Sequence, residues 1–266
     1  MDPQPLSRSD RTREKILQAA IAEFSEHGLA GARISAIAAA AQVNKALLYY
    51  YFNGKEALYT TALEEVASSI AIRAIALLEL DCSPGERLLR FALQHFDRIL
   101  SRQGFQALMQ QEMIRFRQGE SHAMGLIAQK AFGPMFGRLQ AIIQEGISTG
   151  ELCSVDGLQV AYSALGANVF YFLSAPMMQI ISAGDPLAPA SVAQRRTASI
   201  EFLGQALFTD RRRGAELAHA VLASMPMPEI SPQLHPGAAR SHQPETPNSA
   251  TIPQDGSTEV VGKKTA

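Results

Sequence analysis

The 266-residue chain has no tryptophan and only two cysteines. Cys82 and Cys153 lie far apart, with no Cys-x-x-Cys or Cys/His spacing, and read as structural thiols in a reducing cytoplasm rather than a redox pair. The histidines (His27, His95, His122, His219, His235 and His242) form no His-Glu-x-x-His or Cys/His ligand set. His95 and Asp97 stand at i, i+2 and cannot share a helix face. His95 and His122 therefore read as ordinary structural histidines, with pocket lining or metal binding as the alternative. Glycines are scattered without a phosphate-cradling loop. These absences point away from an enzyme, a metal centre or a cofactor. No stretch alternates as a strand does, so the fold expected is all-α. Met1-Asp2-Pro3 lacks the basic and apolar regions of a signal peptide. The most apolar stretch, Val160 to Ile181, is broken by Asn168, Pro176 and Gln179; it reads as a buried helix of a soluble, cytoplasmic protein rather than a membrane span. Charged residues make up 18% and the net charge is -1, so any attraction to nucleic acid has to be local.

With 47% hydrophobic residues the chain can bury a sizeable core. Its most informative stretch is residues 42 to 59, QVNKALLYYYFNGKEALY. As a helix from Lys45, at about 100° per residue, it sets Leu48, Tyr51 and Phe52 on one stripe and Ala46, Tyr49 and Tyr50 on the opposite one. Asn44 can cap the first turn, Asn53-Gly54 ends the helix, and Lys55 opens another. Two turns of helix are marginal alone, so a neighbour must hold them. Ile34, Ile37, Ala38 and Ala41 in the preceding run have the spacing to do so, across the turn Gln42-Val43-Asn44. Helix, short turn and helix with a polar outer face is the helix-turn-helix pattern, whose second helix enters the DNA major groove. An ordinary helical hairpin in a core would not expose two tyrosines beside two lysines. The nearby cations Arg8, Arg11, Arg13, Lys15, Arg33, Lys45 and Lys55 are partly offset by Asp10, Glu14, Glu23, Glu26 and Glu56, giving a modest phosphate footprint.

From Arg11 to about Tyr59 the chain resembles the DNA-binding domain of the TetR family of transcriptional repressors. The resemblance rests on Ile16, Leu17, Ala19, Ala20, Phe24 and Gly28, then Ile37-Ala38 and Ala41, then Leu48-Tyr49, Tyr51-Phe52 and Lys55-Glu56-Ala57-Leu58. It implies DNA contacts from Arg33, Asn44, Lys45, Ala46, Leu47, Tyr49, Tyr50 and Lys55, with Tyr49 and Lys55 on the backbone, and a homodimer on a pseudo-palindromic double-stranded operator. Four departures concern the operator sequence. Ala32 and Arg33 replace the usual Thr or Ser before the second helix, so either Ser35 caps a shortened helix or Arg33 reaches a phosphate. Gln42 replaces the turn glycine. Ala46 and Leu47 replace a small residue and a threonine, and Tyr50 stands where histidine is common.

Beyond this region the expected helices run from Glu56 to about Leu78, Ser83 to about Ser101, Phe105 to Phe116, about His122 to Ser148 with a kink at Pro134, Asp156 to about Ser182 with a kink at Pro176, and Ala190 to Phe208. A weaker helix is expected from about Arg213 to Ala223. The division expected is a flexible arm (1–10), a DNA-binding domain (11–60), an effector-binding and dimerisation domain (61–225) and a disordered tail (226–266) rich in proline. Lys263-Lys264 would add at most a nonspecific DNA contact. By the resemblance, the two long helices Asp156 to Ser182 and Ala190 to Phe208 form the dimer interface and a small, often apolar effector binds among the helices before them. Met109, Met113, Phe116, Phe132 and Phe136, with Met135, are the pocket candidates, each also readable as core. The function expected is a ligand-released repressor. The alternatives are a constitutive DNA-binding protein of this fold, or a helical enzyme or adaptor that docks a partner through residues 11–59.

Overall fold

The computed structural model describes residues 7–230, apart from 122 and 183. Its first helix, α1 (Arg8–Gly31), begins earlier than the sequence suggests, so residues 8–10 are not part of a flexible arm. The cause is a reciprocal cap: the Ser7 side chain accepts from the Asp10 amide, and the Asp10 carboxylate accepts from the Ser7 amide. The helical path breaks at Gly28, where φ is 65°, the left-handed region that glycine enters at little cost. α2 (Ile34–Ala40), α3 (Lys45–Tyr51) and α4 (Lys55–Leu78) follow, and α1 packs on α2 and α4. Ile16, Leu17, Phe24, Ile37, Leu48 and Leu58, all at most 1% exposed, fill the space between them.

α5 (Pro84–Ser101) starts as expected, with Ser83 accepting from the Glu86 amide and proline in the first turn. α6 (Gln103–Arg117) follows after one residue. The single kinked helix expected from about His122 to Ser148 is instead two helices, α7 (Ala123–Ile127) and α8 (Gly133–Ser148), joined by a π-helical segment, Ala128–Phe132. Pro134 has no N–H to give an α-helical ladder, and the wider turn just before it absorbs the mismatch.

α9 (Gly157–Ile181) is capped by Asp156, which accepts from the amides of Leu158 and Gln159. α10 (Pro189–Leu207) and α11 (Arg211–Ser224) close the bundle. The last two cross in close contact because Gly204 and Gly214 face each other; a Cβ at Gly204 would lie 2.5 Å from the Gly214 carbonyl oxygen. Among the described residues the β-structure is one isolated bridge, Leu152 to Phe208, and the all-α expectation holds. Cys82 and Cys153 are both free thiols.

The reading of Val160 to Ile181 as a buried helix is overturned. Only Val160, Ala161, Asn168, Phe172 and Ala175 of α9 are buried, while Tyr162, Phe170, Leu173, Met177 and Ile180 are 54–85% exposed and fall on one stripe at helical spacing. Apolar composition signals burial without saying which molecule supplies the covering surface. By length and composition α9 is also the described helix that could cross a membrane. Residues 226–230 are non-helical, and Ile230 packs beside Phe96, Ile99 and Phe172. The expected disordered tail otherwise lies outside the described residues, as do His122, His235, His242 and Lys263-Lys264.

Candidate nucleic-acid interface and effector cavity

α3 shows how seven residues can be both anchored and exposed. Asn44 accepts from the Leu47 amide at 2.7 Å and caps the helix. Leu48 is fully buried and Phe52 is 4% exposed, with the Arg13 guanidinium 5.2 Å from the Phe52 ring centroid. Tyr51 is half-buried and its hydroxyl meets Ser9 Oγ at 3.1 Å, so its place on the inner stripe is only partial. On the opposite face Asn44, Lys45, Ala46, Tyr49 and Tyr50 are all exposed, Tyr50 at 81%, and Leu47 is partly so. Tyr50 also stacks edge-on against Tyr51, with ring centroids 5.3 Å apart.

The turn before α3 carries strain. Gln42 has φ 58°, a left-handed conformation that a glycine would adopt freely and that costs a side-chain-bearing residue about 1–2 kcal/mol. Before α2, Ser35 does not act as the cap. Arg33 is the N-cap residue, in extended conformation without a side-chain cap bond; its amide donates to Glu23 Oε1 at 2.8 Å and its side chain is free of the helix end. Lys55 Nζ donates to the Ala30 carbonyl at 3.3 Å and sits at the start of α4, whose N-cap, Gly54, offers no side chain to the terminal amides. Arg33, the outer face of α3 and the start of α4 thus form a cationic and aromatic surface.

A second cluster ties α4 to α6, and sequence reasoning missed it. Glu112, with no exposed surface, accepts from Arg115 at 3.2 Å and from Ser121 at a very short distance. Arg115 also reaches Glu56 at 3.2 Å and lies over the Tyr59 ring. Burial, and then the Glu112 charge, push the Tyr59 phenol above its ordinary pKa. No spacing within either helix announces a contact between residues 56 and 115.

α6 also lines a cavity of about 200 Å³. Met109 and Met113 lie on its α6 wall, Phe132, Met135 and Phe136 come from the π-helical segment and α8, and Phe91 from α5. Phe116 does not reach it. It shares the stripe of Met109 and Met113 but lies three residues, about 4.5 Å, beyond Met113, the last α6 residue on the cavity wall, and is 47% exposed. Periodicity fixes a face and not how far the cavity extends along it.

The polar lining was not foreseen either: Gln94, His95 and Arg98 from α5 and Gln106 from α6. His95 and Arg98 fall on the helical stripe of Phe91, and a cation on an otherwise inward stripe was the available signal. Burial, followed by the Arg98 charge, lowers the His95 pKa to about 3, so its ring is neutral near pH 7. Burial, then the Arg102 cation, lowers that of Arg98 to about 10. Among the described residues no group of three His, Cys, Asp or Glu is placed to hold a metal.

An exposed α3 held by a preceding helix of the same length across a tight turn defines a helix-turn-helix protein. Residues 16–62 match the family of bacterial regulatory proteins of the tetR type, and residues 84–203 match the tetracyclin repressor-like C-terminal domain. The two matches together take in more than half of the chain, and the chain belongs to the TetR family. It is similar to the transcriptional repressor NicS of Pseudomonas putida, 42% identical over 83 residues, which is 31% of this chain and 39% of NicS. It thus spans well under half the length of the curated relatives it matches. A HlyIIR mutant structure superposes with a TM-score of 0.51 at 26% identity, covering 71% of this chain and 97% of that one. FadR from Bacillus subtilis, solved with stearoyl-CoA, gives 0.55 at 20% identity, covering 71% and 96%, a likeness of fold alone.

Proposed function

We propose that the protein is a homodimeric transcriptional repressor that holds a pseudo-palindromic operator through α3 and releases it when a small molecule enters the cavity. Residues 11–60 would act as the DNA-binding part and 61–225 as the effector and dimerisation part. The observation that carries the first half is the outer face of α3, where Tyr49 and Tyr50 stand exposed beside Lys45 with no role in the core. Arg33 and Lys55 would reach flanking phosphates, and Ala46, Leu47 and Tyr50 base edges.

The exposed stripe of α9, continued by Phe202 of α10 at 66% exposure, supports the dimer. A second copy covers such a stripe while leaving the opposite face of α9 on α5 and α8, where buried Asn168 meets His95; a membrane would not satisfy that face. For the switch, α6 is the physical link, with Met109 and Met113 at the cavity and Glu112 and Arg115 against α4. A ligand that binds one position of α6 better shifts the spacing of the two recognition helices and weakens operator affinity. The relatives' role as regulators supports a non-enzymatic, cytoplasmic protein. The ligand of FadR far exceeds a cavity of about 200 Å³, so an effector here would be smaller. Selection of bound duplexes from a random-sequence pool, followed by gel shift across a salt series, tests the reading. Recovery of a two-fold motif bound in a salt-sensitive way is expected, and absence of any enriched motif would overturn it.

A further inference from the structure

The lining of the cavity deepens the effector reading, and rests on it, by specifying what kind of molecule fits. Arg195, whose Nε makes no hydrogen bond, lies over the Tyr171 ring, and Arg87, Arg90, Arg115 and Arg196 are each paired with a carboxylate: Glu145 at 2.6 Å, Glu86 at 2.7 Å, Glu112 at 3.2 Å and Asp97 at 2.7 Å. Arg98 is not. Its Nη1 is buried and makes no hydrogen bond, and among the described residues no carboxylate pairs with it. Asp97, the nearest acid in sequence, is taken by a two-bond contact from Arg196 at 2.7 and 2.8 Å. An unpaired, largely desolvated guanidinium is costly unless an anion joins it. The other polar groups on the wall, Gln94, Gln106 and the neutral His95, bring no charge.

Two of the polar groups lie near one corner, with Gln94 and His95 about one turn back along α5. Arg98 lies one turn before the end of α5 and Gln106 one turn into α6, with a single residue between the helices. Met109 and Met113 lead away from that corner along α6, and Phe91 lies two turns back along α5. A cavity of about 200 Å³ compares with a 150 Å³ engineered one that takes benzene, so it holds a ring plus a few more heavy atoms.

We propose that the effector is a monoanionic amphiphile, a carboxylate on a compact aromatic or short aliphatic body, whose carboxylate is held by Arg98 at the α5–α6 corner while Met109, Phe132 and Phe136 enclose the apolar part and Met113, half-exposed, lies at its rim. One cation matches one negative charge. A guanidinium presents two parallel N–H donors to a carboxylate, and the neutral amide of the same shape cannot replace that contact.

The test is calorimetric titration of the full-length protein with four probes: 3-phenylpropionate, octanoate, neutral 3-phenylpropanamide and cationic 3-phenylpropylamine. The two acids should bind, with the amide and amine weaker by about tenfold or more. Arg98→Gln should bring the acids down to the level of the amide without lowering the melting temperature, since it removes an unpaired charge; Arg98→Lys should keep part of the preference. Equal binding of acid and amide to the unaltered protein, acid binding untouched by Arg98→Gln, or no acid binding at millimolar concentration would each overturn the proposal. Should Arg98→Gln fail to fold, Arg98 is a structural residue and the proposal falls. An operator gel shift with 3-phenylpropionate separates the two claims. Acid binding that leaves DNA affinity unchanged removes the switch and keeps the ligand class, whereas release by the amide or amine with no acid binding keeps the switch and removes the ligand class.

Discussion

Replacing Tyr50 by alanine should separate folding from recognition. The ring is 81% exposed, so truncation opens no internal cavity. Its one packing contact is the edge-on pair with Tyr51, worth about 0.5–1.5 kcal/mol at most and less in water. Stability should therefore fall by under about 1 kcal/mol. Phe52, two residues on in the same motif, is 4% exposed and lies under the Arg13 guanidinium. Phe52→Ala removes a buried ring and should cost about 3–5 kcal/mol, with a smaller cation–π loss added. On DNA the order reverses. Tyr50→Ala should lose about 1–3 kcal/mol on the specific site and little on random sequence, because a base-edge contact is lost and the phosphate contacts stay. Thermal melting and salt-dependent fluorescence anisotropy on both variants give the four values needed. A Tyr50→Ala protein that melts early, or that binds the operator as tightly as the unaltered chain, would refute the assignment of this face.

Lys55→Ala should weaken binding to all DNA sequences nearly uniformly and reduce the salt slope by about one unit for one phosphate contact, read from affinity across a salt series. Phe170→Glu with Leu173→Glu should convert a species of twice 28.7 kDa into one of 28.7 kDa by light scattering, since two charges replace apolar surface at the proposed interface. Arg196→Met leaves the Asp97 carboxylate buried and unpaired and should cost about 3–5 kcal/mol in denaturant titration, much of it restored by adding Asp97→Leu. His95 has its folded pKa depressed from 6.5 to about 3, so the unfolded chain takes up a proton first as pH falls. Its contribution to stability is complete above pH 6.5 and lost between there and about 3, with a slope of at most about 1.4 kcal/mol per pH unit that His95→Gln should remove from the denaturation profile.

The helices were legible wherever local chemistry sets them. Ser83-Pro84, Asp156 and Asn44 each supply a capping oxygen at the residue where a helix begins, and the cap forms within one turn. Ser7 and Asp10 offered the same signal, obscured by the polar residues around them. What spacing could not supply was distance along a helix and contact between helices. Phe116 has the right angular position and the wrong height, and Tyr51 has the right stripe but a rim position with its hydroxyl on Ser9. Glu112 with Arg115, and Arg98 with Gln106, depend on how α4, α5 and α6 cross, which is a property of the packed core. The apolar stripe of α9 was read as interior because one chain's sequence does not record that a second copy could cover it.

On the proposed reading, two copies of α3 read DNA across a two-fold axis. Hydroxyl-radical footprinting of the protein on its selected duplex addresses it most directly. Two symmetric protected patches are expected, their centres about 34–36 Å apart or a multiple of that, lost together in the Phe170→Glu, Leu173→Glu variant. A single asymmetric patch, or the same footprint from the monomeric variant, would contradict it.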